Sequence, residues 1–205
     1  MGIRPVYLFS HTTYAGVHHI PILQTQFFTP SIDFSLYTGL VVTSKQILEA
    51  LRPYTGWEHL PIIAISEATA RHFRTAGCNV IATAKGDGVQ LAPLIKEHGG
   101  KWLYCRPKVV ATAWGAGIVD EVVLYETQCN DRIEKIQIEE DAIMIFTSPS
   151  SVACFLAKAS FCSTHTVIVI GKTTQKALPS GIKSIVSDTT SVQSCVEKGY
   201  ELLSL

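Results

Sequence analysis

Short runs of consecutive apolar residues alternate along this chain with stretches in which apolar residues recur every three or four positions. The runs are rich in β-branched and aromatic residues. They predict strands at Val6–Ser10, Ile20–Phe28, Gly39–Thr43, Pro61–Ile65, Asn79–Ala82, Lys101–Cys105, Val119–Thr127, Ala142–Phe146, Thr166–Ile170 and Ile182–Val186. The amphipathic stretches predict helices over Lys45–Arg52, Glu67–Ala76, Gly88–His98, Ser150–Ala159, Thr173–Leu178 and Ser191–Leu203. Unbroken apolar strands such as "TVIVI" belong in parallel sheet covered on both faces. The alternation therefore predicts an α/β protein with doubly wound parallel sheets.

Two strands depart from this pattern. "IPILQTQFF" (Ile20–Phe28) and "EVVLYETQ" (Glu121–Gln128) are longer and more polar than the rest, and each precedes a shift in composition. They read as connectors between two lobes rather than as core strands. An internal repeat points the same way. Thr43 and Ser44 lie 104 residues before Thr147 and Ser148, and "IIAISEATARHF" (Ile62–Phe73) parallels "VIVIGKTTQKAL" (Val167–Leu178) at an offset of 105. A repeat of that size means two similar domains rather than a solenoid.

All four repeated turns follow strand carboxyl ends, where parallel α/β sheets bind their ligands. Each leads into a helix whose first amide N–H groups lack intrahelical partners and attract anions. The hydroxyls of Ser44, Thr69, Ser148 and Thr174 add donors beside those amides, and Thr43, Ser66 and Ser150 in the same turns are further candidates. For any one hydroxyl, capping its helix is the stronger reading. Four such turns, duplicated, read as a site.

Composition narrows what that site holds. Lys plus Arg and Asp plus Glu both number 17, so the chain is formally neutral and lacks the general cationic field that nucleic acid or an anionic membrane selects. An anionic ligand must be gripped locally. A hydrophobic fraction of 47% is ample for a sizeable core, yet no run approaches the ~20 apolar residues of a membrane span, and the five-residue apolar run near the N-terminus is short for a signal peptide. A soluble, cytoplasmic protein is expected. The six cysteines show no C-x-x-C pair, and reduced buried thiols are expected rather than a disulfide frame.

Several motifs are excluded. "GKTT" at Gly171–Thr174 imitates the end of a Walker A loop, but the required glycine is Thr166 instead. "GDG" at Gly86–Gly88 and "GAG" at Gly115–Gly117 lack the third glycine of a dinucleotide fingerprint. His18 and His19, being adjacent, face opposite ways in an extended chain. Tyr125 would face a cleft between lobes if its strand bridges them, and is equally an ordinary strand residue. Arg106 and Lys108 could offer cationic contacts, or form a solvated charge pair. His11, after the first strand, is a further candidate for the same crevice.

The segments "VVTSKQI", "AISEATARHFRTAG", "EVVLYETQ", "FTSPSSV" and "VIGKTTQKAL", in this order and spacing over nearly the whole chain, resemble the uroporphyrinogen-III synthase family. The resemblance implies two lobes joined by a two-stranded antiparallel linker. Lobe 1 would be discontinuous, residues 1–21 with 129–205. Lobe 2 would occupy 29–120, and 22–28 with 121–128 would be the linker strands. It implies that hydroxymethylbilane, a linear tetrapyrrole, is closed to uroporphyrinogen III with loss of water. In the family's proposed mechanism the terminal hydroxyl leaves to give an azafulvene, and a spirocyclic intermediate inverts the last ring. No cofactor and no metal are implied, and transient contact with the preceding pathway enzyme is. Carried over by position, Tyr125 assists departure of the hydroxyl, and Ser44, Lys45, Ser148, Thr173 and Thr174 match substrate-contacting turns. The chain departs from the family pattern in three places. "FSHTTYAG" offers His11 in place of an arginine, "CRPKVVAT" leaves Arg106 or Lys108 as substitutes, and Ser66 stands where the other half has Gly171. A two-lobed binding or sensor protein for a small polyanion is the alternative, because no strong acid, base or nucleophile stands out. A nucleotide-dependent α/β enzyme is a weaker third.

Overall fold

The computed structural model describes residues 4–110 and 114–204. The chain divides into two compact units, residues 1–24 with 127–205, and residues 25–126.

The first unit is built on a five-stranded sheet. Its strands are β1 (Val6–Phe9), β2 (His18–Ile20), β9 (Ile143–Phe146), β10 (Thr166–Val169) and β11 (Ser184–Val186), in the spatial order β11-β10-β9-β1-β2. Every neighbouring pair is parallel. Successive residues of β9 go to opposite faces. Met144 and Phe146 join Phe9, Val167 and Val169 beneath helix α4 (Pro149–Leu156), while Ile143 and Ile145 join Val6, Leu8 and Ile168 against helix α6 (Val192–Leu203). Strands covered on both faces have no polar side, which explains the unbroken apolar runs. Phe9 stacks on Phe146 at 4.7 Å between ring centroids, and Phe155 of α4 meets both edge-on.

The second unit carries β4 (Gly39–Val42), β5 (Ile62–Ala64), β6 (Val80–Thr83), β7 (Trp102–Pro107) and β8 (Asp120–Cys129), mutually parallel where they pair. With β3 (Leu23–Phe27) at the edge, the six-stranded order is β3-β8-β7-β4-β5-β6. Helices α1 (Gln46–Leu51) and α2 (Glu67–Thr75) cover the Leu40 and Val42 face, and α3 (Leu91–His98) covers the Val41 and Ile63 face.

Three sequence expectations are corrected here. The predicted strand Ile20–Phe28 is two strands, β2 beside β1 and β3 beside β8. Pro21 stands at the break, where the missing N–H cannot continue a ladder. The second predicted connector is also a core strand. The first half of β8 pairs with β7 from Asp120 to Tyr125, and Leu124 is fully buried. The expectation of reduced thiols fails for one pair, because Cys129 at the end of β8 is disulfide-bonded to Cys154 of α4. The two are 25 residues apart in sequence, so no spacing motif announces them, and packing brings their Cα atoms to 5.3 Å. Cys78, Cys105, Cys162 and Cys195 are free thiols. Among the described residues no helix is long and apolar enough to cross a membrane.

Gly39, which opens β4, is required by close approach. A Cβ there would lie 2.3 and 2.6 Å from the Trp102 ring and 2.8 Å from the Pro61 carbonyl oxygen. The ring is buried and the carbonyl is held by Leu40 N, so neither neighbour yields easily. Gly39→Ala is expected to cost about 1–3 kcal/mol, as overpacking of a tight core does, read as a lower denaturant midpoint at unchanged slope.

Candidate active site

Parallel pairing puts the carboxyl ends of β4, β5 and β7 along one edge of the second sheet, and those of β1, β9 and β10 along one edge of the first. The turns singled out in the sequence all leave from these edges. In the second unit they are Thr43, Ser44 and Lys45 after β4, Ser66 and Thr69 after β5, and Arg106 and Lys108 at the end of β7. In the first unit they are His11 after β1, Ser148 and Ser150 after β9, and Thr173 and Thr174 after β10.

The hydroxyls do different work at equivalent places. Ser148 caps α4, accepting from Ser151 N at 3.1 Å, while Ser151 Oγ accepts from Ser148 N at 3.2 Å. Ser66 caps α2, accepting from Thr69 N at 3.4 Å, and its Oγ lies 3.2 Å from Thr69 Oγ1. Helix termini thus claim Ser66 and Ser148, as these residue types favour. Ser44 accepts from Gln46 N at 3.2 Å, leaving exposed Lys45 at the start of α1. Thr174 is buried in the four-residue helix α5 (Lys172–Gln175), while Thr173, Ser150 and His11 are exposed. With six residues in α1 and four in α5, these two contribute little dipole, and in α1 the Gln46, Ile47 and Leu48 amides are already bonded to Ser44 and Lys45.

Arg106 and Lys108 are engaged within the sheet. Arg106 Nε lies 2.7 Å from Glu121 Oε2, and Lys108 Nζ lies 2.7 Å from Glu126 Oε2, both carboxylates belonging to β8. The Arg106 Nε–H is not aimed at that oxygen, so the contact is an ion pair rather than an aligned hydrogen bond. Arg106 Nη1 donates instead to the Pro107 and Lys108 carbonyls. The charge-pair reading describes both cations better than that of open anion ligands.

A cavity of about 290 Å³ opens at the carboxyl edge of the second sheet, lined by Thr43, Ser44, Asp87, Tyr104, Trp114 and Tyr125 among others. Two tyrosines from neighbouring strands engage adjacent residues of one turn. Tyr104 of β7 places its hydroxyl 3.0 Å from Thr43 Oγ1, and Tyr125 of β8 comes within hydrogen-bonding reach of Ser44. Tyr104 also packs on Trp114 at 4.6 Å between centroids, with the indole in hydrogen-bonding reach of its hydroxyl. Of the residues expected from the sequence, this cavity gathers Thr43, Ser44 and Tyr125. Tyr104, Trp114 and Asp87 were missed. Tyr104 lies in the apolar run "WLYC", where it reads as core, and Asp87 lies in the "GDG" dismissed as a failed nucleotide motif.

Burial raises the Tyr125 phenol above its ordinary value of 10.0, with Ser44 offsetting part of this and Tyr104 adding to it. Burial raises Tyr104 likewise, against the hydrogen bonds from Thr43 and Trp114. Both phenols are therefore protonated donors at neutral pH. In the first unit Tyr7 is pushed up to about 12 by burial and by its hydrogen bond to Glu139. Groups that hold protons more tightly folded than unfolded add stability that is complete below their unfolded value and lost as pH rises through the folded one. The melting temperature is expected to hold to about pH 9 and fall between about pH 10 and 12, which a thermal melt series across that range checks.

Residues 13–197 match the family model of uroporphyrinogen-III synthase HemD. The chain belongs to the uroporphyrinogen-III synthase family. Its structure is similar to that of uroporphyrinogen-III synthetase from Helicobacter pylori, at a TM-score of 0.81 and 22% identity over 97% of this chain and 99% of that one. It also resembles a mutant uroporphyrinogen III synthase from the extremely thermophilic bacterium Thermus thermophilus, at a TM-score of 0.54 and 14% identity over 98% of each chain. No curated protein matches at a significant level. These structural likenesses speak for a mixed α/β fold with parallel sheets, and the family match carries the activity. As a uroporphyrinogen-III synthase the chain is a lyase of heme biosynthesis, closing hydroxymethylbilane to uroporphyrinogen III with inversion of the terminal ring and loss of water. Family membership favours this over the binding-protein alternative.

Proposed function

We propose that the cavity at the carboxyl edge of the second sheet is where the terminal hydroxyl of hydroxymethylbilane departs, with Tyr125 as its proton donor. The single observation behind this is a buried, protonated phenol lining a cavity beside a hydroxyl-bearing turn. As the carbon–oxygen bond breaks, its electron pair leaves with the oxygen and Tyr125 supplies the proton that completes water. The azafulvene that remains is attacked by the already bridged α-carbon of the last pyrrole to give the spirocycle, whose older bridge bond then breaks and re-forms at that ring's free α-carbon. When the substituted carbon finally loses its hydrogen, the phenol is restored, so the turnover releases one water and no net proton.

In each unit by itself the turns offer amides and hydroxyls to the substrate's acetate and propionate arms: Ser44, Lys45, Ser66 and Thr69 in the second, and Ser148, Ser150, Thr173 and Thr174, with His11, in the first. Holding the reacting ends together supplies a large effective molarity, so positioning outweighs proton transfer. Arg106 and Lys108 serve the sheet, through Glu121 and Glu126, before they serve the ligand.

We read the organisation as two similar doubly wound lobes: residues 1–21 with 129–205, and 29–120. Residues 22–28 and 121–128 form an antiparallel linker. The strand orders support this, since β9-β10-β11 and β4-β5-β6 run in the same sense, each flanked on the same side by β1 or β7. The bonds from Phe28 N to Leu124 O and from Asn130 N to Ile22 O support the antiparallel register. Incubation with freshly generated hydroxymethylbilane, followed by separation of product isomers, tests the function. Isomer III in proportion to enzyme is expected. Isomer I alone, at the spontaneous rate, overturns it.

A further inference from the structure

The cavity assigned above to the departing hydroxyl is not an anion pocket. Among the described residues its only charged lining side chain is Asp87, and no Lys, Arg or His lines it. A carboxylate of the substrate meets no opposite charge there. A flat ring bearing an N–H does: Tyr104 and Trp114 form an aromatic wall, and Asp87 is an acceptor.

Asp87 is held by a built turn. Its Oδ1 accepts from Val89 N at 3.0 Å, capping the 3-10 turn Gly88–Gln90. The preceding residue is fixed by the bond from Gly86 N to Ile65 O at 2.8 Å. The following residue, Gly88, is buried under Trp114, and a Cβ there would lie 2.5 Å from the indole Cδ1. Capping uses one lone pair, and a carboxylate accepts about four hydrogen bonds. Asp87 is exposed and lines the cavity, so its remaining capacity is open to a ligand.

We propose that Asp87 is a catalytic residue that accepts the N–H of the first pyrrole, the ring carrying the hydroxymethyl carbon, and stabilises the positive charge that ring acquires. This rests on the reading of Tyr125 above. As the carbon–oxygen bond breaks, the nitrogen lone pair of the ring is drawn toward the emptied carbon, and the N–H becomes cationic. The Asp87 carboxylate, hydrogen-bonded to it, meets that charge as it develops, whereas the neutral ground state gains only an ordinary hydrogen bond. An interaction that strengthens toward the transition state raises turnover more than binding. The substrate is thereby divided by chemistry, with the neutral ring in this cavity and the anionic arms on the turns.

Asp87→Asn keeps an oxygen to cap Val89 N and removes the charge. It is expected to lower kcat by about 10²-fold, the usual loss for one preorganised electrostatic partner, with KM changed by less than about threefold and the melting temperature unmoved. A bilane methylated on the nitrogen of that first ring should slow the wild type comparably and add nothing further to the Asp87→Asn loss, because both changes remove one contact. Full kcat in Asp87→Asn, full rate with the N-methyl substrate, or two losses that multiply would overturn the assignment. Wild-type production of isomer III, impaired by Tyr125→Phe, upholds the underlying reading whichever way Asp87→Asn falls. Isomer I alone from the wild type overturns that reading instead.

Discussion

Tyr125→Phe should lower kcat by about two orders of magnitude, at the lower end of what a positioned proton donor contributes. Phe preserves the ring that packs in the Leu40, Val42 and Leu124 core and the tilted contact with Phe27 at 6.4 Å. Only the hydroxyl is lost. Ser44 keeps its bond from Gln46 N, so the turn stays in place and the melting temperature should move little. KM should change less than kcat, because the phenol matters most when the oxygen takes up negative charge. Product that still forms should shift toward isomer I, since a bilane released unreacted closes without inversion. Turnover within a factor of about two of wild type would demote Tyr125 to a strand residue. By contrast, single removals of Ser44, Ser148 or Thr173 hydroxyls should cost only a few-fold, because backbone amides share the work at each turn.

Reduction of the Cys129–Cys154 bond should destabilise the first unit by about 3.5 kcal/mol, the loop-closure value for a bridge of this separation. The bond ties the last residue of β8 to α4, and both cysteines pack with Phe146, Phe155 and Val167 in one core cluster. The effect should appear as a lower denaturant midpoint in dithiothreitol, matched by Cys129→Ala without reductant. Thiol titration of the unfolded, unreduced protein should find four of the six cysteines, namely Cys78, Cys105, Cys162 and Cys195. Six titratable thiols, or equal midpoints with and without reductant, would show that the bridge is absent or idle.

The cysteines also mark where sequence reading stops. Cys129 and Cys154 both look like small hydrophobes in apolar surroundings, and so does Cys105, which remains free. Nothing in the spacing distinguishes the pair, because the distance that permits a bond is set by how β8 and α4 pack. The same limit hid half of the cavity. Tyr125 could be named because it interrupts an unusual polar strand in a segment resembling a known family. Tyr104 sits in an ordinary buried run, and its role depends on a cross-strand meeting with Thr43, 61 positions away. Arg106 and Lys108 look like ligand contacts in the sequence because their partners, Glu121 and Glu126, lie on β8, whose polar pattern sets it apart from the core strands.

By itself the sequence determined the strand and helix order, the parallel character of the sheets, the repeat, and the turns that stand at the strands' carboxyl ends. It could do so because burial on both faces and helix capping leave local, periodic traces in a chain. The tertiary structure alone decided which hydroxyls cap helices, which cations are neutralised, which cysteines join, and that Tyr104, Asp87 and Trp114 share a cavity with Tyr125. Those outcomes depend on distances between residues far apart in the chain, and such distances exist only once the strands have been ordered.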